Sequence, residues 1–474
     1  MSLRPVTLAL ALALGFSASA SAADLMDAYE LARLNDPQVA AAHSQRLATG
    51  EGVPQSRSAL LPQISGEAAI SRSRTDSDGE EIFGDQVFPV DRRQDVTQRR
   101  YGINVQQSVY DHANHTQLRA SRSRADAADA EYVAAQQALL VRVSEAYFNV
   151  LTAIQAVSSA RAQERAVKRQ LDQADVRLEV GLSPITDVYE ARAQYDSSRA
   201  NAIAAENALD DAREALAEIT GRPLHGLRGL GADFQPTLDE EGLERWVETA
   251  LSNNPTLRAR TLQLQAAEHD VATTRAAHLP RLSASGGWND TTSWGDATVR
   301  GGLQDVTRPI GSASDGYNVG LTLSVPIFTG GLTQSRVRQQ IYSRDALADQ
   351  LEAENRAITR QTRGAYRSLA AGVSEVEARR QAVVSAQSAL EATEAGFEVG
   401  TRTIVDTLIA QQQLFGAEVE YARSRHDFLL NQLRLRQAAG VVEVGDLQAV
   451  NRFLVADAEA ALDEERSTPS PTLR

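Results

Sequence analysis

The sequence predicts an α+β membrane protein that is internally duplicated, in which pairs of amphipathic β-strands alternate with very long α-helical hairpins. Three observations carry that prediction. Short motifs recur about 218 residues apart, one stretch of 69 residues contains neither glycine nor proline, and four segments of about ten residues alternate apolar with polar side chains.

At the start of the chain, Arg4 precedes the apolar run VTLALALALGF and then SASASAA. Residues 1–22 read as a secretory signal cleaved after Ala22, so the mature chain is expected to leave the cytoplasm. The 474 residues carry 48 Lys+Arg against 62 Asp+Glu, a formal net charge of −14, which argues against nucleic acid as a partner. Lys168 is the sole lysine. With no cysteine, a disulfide framework, thiolate metal sites, a cysteine nucleophile and a lipid-modified N-terminal cysteine are all excluded. Beyond the signal no segment approaches 18 uncharged apolar residues, so any passage through a membrane requires a closed barrel.

The duplication is in register. VGLSPITD at 180–187 matches VGTRTIVD at 399–406, with Gly181 and Gly400, Ile185 and Ile404, and Asp187 and Asp406 each 219 residues apart. NDP (35–37) answers NNP (253–255), LLPQIS (60–65) answers HLPRLS (278–283), and AYFNVL (146–151) answers AYRSLA (365–370). The expected organisation is a first repeat over 23–221, an equatorial segment over 222–254, a second repeat over 255–440, another equatorial segment over 441–455, and an acidic, then Ser/Pro-rich tail over 456–474 that reads as disordered.

Within each repeat the periodicity changes. Residues 36–59 and 255–278 read as helical. Strands are expected at about 60–72, 99–110, 279–290 and 315–328, because Ile64, Ala68 and Ile70, Tyr101, Ile103 and Val105, Leu282, Ala284 and Trp288, and Tyr317, Val319, Leu321 and Leu323 fall on single faces. The polar stretch 72–98 reads as a connection. Ten residues suit a tilted transmembrane strand, yet four strands cannot close a barrel without other copies. Trp288, Tyr101 and Tyr317 lie near the expected strand ends, where aromatic belts meet headgroups.

Helical hairpins follow at 112–220 and 332–440, turning at Gly181 and Gly400. Apolar residues at Leu140, Val143, Tyr147, Val150, Ile154 and Val157, resuming at Val167, Leu171, Ala174 and Leu178, keep heptad spacing. One helix over 112–180 reaches roughly 100 Å. A soluble coiled-coil rod would explain the helices alone. The strands and the signal favour the envelope.

At the second turn Arg402 stands in a helix's first turn, against the macrodipole, and calls for a partner such as Asp187 or Thr186 of the other turn. On the residues alone capping explains both aspartates better: Ser183-Pro184 reads as an N-cap followed by proline, and Thr403-x-x-Asp406 as a capping box. His112 and His115 offer two ligands, too few for a metal site, and GLRGLG (226–231) reads as a loop. No nucleophile, base and acid set is visible, so neither an enzyme nor a cofactor is expected.

Together the LLPQ and HLPR strand starts, AYFNVL, the two turns and QAVVSAQSAL (381–390) resemble the TolC family of outer-membrane exit ducts over about 24–455. The resemblance implies a homotrimer sharing a 12-stranded β-barrel, four strands per chain, in outer-membrane lipid, continuous with a coiled-coil periplasmic tunnel. It implies a periplasmic adaptor and an inner-membrane transporter as partners, with drugs, detergents or polypeptides as cargo. It assigns a periplasmic gate to Arg402 with Thr186 and Asp187, and a second link to Gln170 and Glu394. Phe397 replaces a gate tyrosine, Asp406 forms a constriction ring, and Ile409 stands where a second aspartate is usual. Gly181, Leu182, Gly400 and Thr401 become adaptor-docking tips. The lack of cysteine points to the unlipidated type. A free-standing diffusion porin and a structural coiled-coil envelope protein are the alternative readings.

Overall fold

The computed structural model describes residues 23–181, 183–238, 242–301 and 305–458. The expected signal, Leu182 at one hairpin turn and the tail from 459 onward lie outside the described residues. In chain order the elements are α1 (Leu25–Asn35), α2 (Pro37–Gly50), α3 (Gly52–Ser58), β1 (Gln63–Phe83), β2 (Gln86–Tyr110), α4 (His112–Glu179), α5 (Ile185–Thr220), β3 (Arg228–Leu230), α6 (Leu243–Asn253), α7 (Pro255–Arg275), β4 (Arg281–Arg300), β5 (Val306–Ser324), α8 (Leu332–Glu398), α9 (Ile404–Ala438), α10 (Val444–Asn451) and β6 (Leu454–Asp457). They divide into two compact units, one drawn from Met1–His43, Tyr132–Pro255 and Asn355–Arg474, the other from Ser44–Glu131 and Thr256–Glu354.

In the second unit the strands form one antiparallel sheet in the order β1-β2-β4-β5. Register pairs Ala68 with Tyr101, Ile103 with Trp288 and Trp288 with Tyr317, which puts the apolar residues of all four strands on one face. That face is open: Ile64, Ile70, Val319 and Leu321 are between 72% and 83% exposed. Such an apolar surface is far from what a soluble monomer displays.

The strands are about twice the expected length, with 21 residues in β1, 25 in β2, 20 in β4 and 19 in β5. The stretch 72–98 is strand and not a connection, β5 starts at Val306 and ends at Ser324, and Tyr101, Trp288 and Tyr317 lie mid-strand. Polar cross-strand pairs replace apolar alternation there. Arg74 pairs with Asp95 at 2.8 Å and Arg93 with Asp76 at 2.6 Å, while Ser293–Ser312 and Thr298–Thr307 hydroxyls meet at 2.8 and 3.1 Å.

The first unit is helical. In α4 the heptad positions Leu140, Val143, Tyr147, Val150, Ile154, Val157, Val167 and Ala174 are buried, each leucine or valine so removed from water contributing about 1.5–3 kcal/mol. The Tyr147 hydroxyl, at the centre of this seam, donates to the Arg228 carbonyl at 2.7 Å. GLRGLG is correspondingly not a plain loop: Leu227 bridges Ala23, and β3 pairs antiparallel with β6. The duplication is visible in the bonding as well as in the sequence. Asn35 donates its amide to the Thr220 carbonyl at the end of α5, and Asn254 donates to Ala438 at the end of α9, both at 3.0 Å.

Candidate functional site

Both hairpin turns lie in the helical unit, and each is made possible by a glycine. Gly181 (φ 73°) and Gly400 (φ 80°) take the left-handed conformation that ends a helix and reverses the chain, where a side chain would be strained.

At the first turn the Gly181 N–H bonds the Leu178 carbonyl at 3.0 Å, and α5 starts on Pro184. Pro184 itself is the N-cap, so Ser183 is not. The Ser183 hydroxyl instead donates to the Asp187 carboxylate at 2.6 Å. Thr186 is exposed and Asp187 half-buried.

At the second turn the Gly396 carbonyl gathers three donors: the Thr401 N–H at 2.8 Å, the Arg402 N–H at 3.1 Å and the Thr401 hydroxyl at 3.0 Å. Thr403 then caps α9 with a complete capping box. Its hydroxyl accepts from the Asp406 N–H at 3.2 Å, and the Asp406 carboxylate accepts the Thr403 N–H at 2.9 Å. That N–H, the Thr403 hydroxyl and the nearby Arg402 charge hold the Asp406 carboxyl below the ordinary value of 3.8. Arg402 projects from this braced turn with its stem laid over Gly396, where an added Cβ would come within 2.7 Å of the Arg402 Cγ.

Beneath the turns a shared core joins the two hairpins. Val167 and Ala174 of α4, Val188 and Ala191 of α5, and Ile404 and Leu408 of α9 pack together, with Phe397 of α8 against them. The Arg177 guanidinium of α4 lies 4.7 Å from the Phe397 ring centroid, a cation–π contact between one hairpin and the other. Nothing in the sequence announces this pair. Arg177 is one of many exposed arginines, and only the packing of the two hairpins brings it over the ring.

Within one chain, the other candidates are not brought together. Arg402 forms no ion pair with Asp187 among the described residues, and its charge acts on Asp406 instead. Gln170 and Glu394 form no hydrogen bond, and the Gln170 side-chain carbonyl oxygen is buried without a partner. Ile409 is 49% exposed, three residues beyond Asp406 on the same side of α9.

An open sheet with an exposed apolar face and two long hairpins with polar turns are the features of an outer-membrane channel protein. The family model for Outer membrane efflux proteins matches residues 28–222 and 246–441, one stretch for each repeat, and the chain belongs to that family. It is 37% identical over 434 residues to the outer membrane protein TolC of Vibrio cholerae, covering 91% of this chain and 94% of that protein. It is 30% identical to the alkaline protease secretion protein AprF of Pseudomonas aeruginosa, covering 90% and 87%. Among solved structures it is similar in fold to the CmeC outer membrane channel of Campylobacter jejuni, with a TM-score of 0.69, 18% identity, and coverage of 91% and 90%. The protein is an outer-membrane exit duct of the efflux family.

Proposed function

We propose that three copies join the β5 edge of one sheet to the β1 edge of the next, closing a 12-stranded barrel whose apolar face meets outer-membrane lipid. The observation that carries this reading is the four-stranded sheet itself: both its edges are unpaired among the described residues, and its apolar face is exposed. The hairpins of the three copies then form a periplasmic tunnel, with the adaptor docking at Gly181, Leu182, Gly400 and Thr401. The duct is passive, and an inner-membrane transporter supplies the energy. Cargo is either small and amphiphilic, such as drugs and detergents, or a polypeptide of the kind that the name of the Pseudomonas relative records.

The gate is assembled between copies. Arg402, braced on the second turn, reaches Asp187 and Thr186 of the neighbouring copy, and Glu394 accepts from the Gln170 side-chain amide. The Arg177–Phe397 stack ties the two hairpins of each copy and takes over from the tyrosine that the family uses at Phe397. Three Asp406 carboxylates ring the constriction and favour cations, while three Ile409 side chains make its next rung apolar. Native mass spectrometry of the detergent-purified protein tests the assembly: the expected mass is that of three chains, and a monomer or dimer overturns the barrel.

A further inference from the structure

We propose that Arg72 and Arg99 form a seat for the phosphate of an anionic lipid headgroup at the outward edge of the sheet's apolar band; this rests on reading the apolar sheet face as lipid-facing. The strand register sets the height of the site. Going away from the helices in steps of two, β2 presents Val105, Ile103, Tyr101 and Arg99 on the apolar face, and the paired residues of β1 are Ile64, Gly66, Ala68 and Ile70, followed by Arg72. On both strands, apolar side chains give way to arginine at nearly the same level. Just below the arginines lie the aromatic residues: Trp288 and Tyr317 share the rung of Ile103, and Tyr101 stands one step outward, directly beneath Arg99. Aromatic rows of this kind mark the boundary between acyl chains and headgroups.

The Arg99 guanidinium lies 5.2 Å from the Tyr101 ring centroid, which holds it at the belt. Arg72 is paired with Thr97 and so is the diagonal neighbour of Arg99, about 7–8 Å away between Cα atoms. Side chains of that length converge on one phosphate and bind it through paired N–H donors. Among the described residues neither arginine forms an ion pair, although Asp95, already bound to Arg74, lies within electrostatic reach of Arg72, and Asp290 lies diagonally across from Arg99 on β4. The next two rungs outward are already neutralised, by Arg74–Asp95 and then Arg93–Asp76. On the other half of the sheet Asp290 pairs directly with Asp315, and two facing carboxylates repel a phosphate. The seat is therefore confined to β1 and β2. Its occupant is a membrane lipid and not a free anion, because the arginines continue an apolar strip along which acyl chains would lie.

Native mass spectrometry of the detergent-purified assembly, titrated with diphosphorylated lipid A and with its dephosphorylated form, tests the site. The expected result is about tenfold tighter binding of the phosphorylated form, lost in the Arg72→Gln/Arg99→Gln double variant, with no displacement by excess inorganic phosphate. Equal binding of the two forms, or unchanged binding by the double variant, overturns the proposal; displacement by inorganic phosphate overturns the assignment to lipid. Planar-bilayer conductance of the same samples separates the two readings. Channels that conduct normally but do not prefer the phosphorylated lipid sink the headgroup seat alone, whereas a wild-type protein that never conducts removes the barrel on which the seat depends.

Discussion

At the turn between α4 and α5 the second helix starts on a proline with no side-chain cap, and a single serine hydroxyl holds Asp187. Its duplicate between α8 and α9 has a full capping box and a carbonyl that accepts three donors. The two turns share glycine, isoleucine and aspartate at matching positions, yet the aspartates differ in what remains free. Asp406 turns one carboxylate oxygen to its own helix terminus, where it accepts from both the Thr403 N–H and the Thr403 hydroxyl. Asp187 keeps acceptor capacity, since a carboxylate offers about four lone-pair sites and only one is taken within the turn. On the proposed gate, duplication has produced one turn that presents a cation and one that receives it.

Removing the presenter should have the largest effect. Arg402→Ala is expected to raise single-channel conductance several-fold without changing the assembly's mass, as measured in planar bilayers and by native mass spectrometry. Next comes the tie between hairpins. Phe397→Ala should lower stability by about 1–2 kcal/mol through lost packing and also raise conductance, whereas Phe397→Tyr should do neither. A double-mutant cycle with Arg177→Ala isolates the stack, for which we expect a coupling of about 0.5–1 kcal/mol in chemical denaturation.

Gly396→Ala separates gate geometry from stability. Alanine favours a helix over glycine by about 1 kcal/mol, so Tm should hold or rise, while the added Cβ displaces the Arg402 stem and conductance should increase. Unchanged conductance would show that the position of the stem does not matter.

The smallest expected effect sharpens the contrast between the aspartates. Thr403→Ala removes the cap and should cost about 1 kcal/mol near neutral pH. The folded-state pKa of Asp406 is depressed, so its contribution is present above the ordinary carboxylate value of 3.8 and is lost as pH falls through the lower folded value. The Tm difference between wild type and Thr403→Ala should accordingly stay constant from neutral pH down to about 4 and shrink only below that.

Much of this was legible in the sequence because it rests on local chemistry. The turn glycines, the Thr403–Asp406 box and the heptad seam through Tyr147 are set by backbone conformation and helical period, which neighbouring residues reveal. Residues 72–98 were misread because their strands are held by Arg74–Asp95 and Arg93–Asp76, pairs whose charges leave no apolar alternation to detect. Ser183-Pro184 fits a serine cap and a proline cap equally well, and only the backbone angles decide. Arg177 over Phe397 depends on two hairpins distant in sequence meeting in space. The proposed pairing of Arg402 with Asp187 lies between copies, and among the described residues one chain does not form it.

The absence of cysteine from the chain makes the most direct measurement clean. An Asp187→Cys/Arg402→Cys double variant, oxidised in the membrane and run on denaturing gels, places one sulfur at each half of the proposed clasp. The account predicts covalently linked oligomers that conduct poorly in planar bilayers and open several-fold when reductant is added. Chains that remain unlinked, with conductance indifferent to reductant, would contradict it.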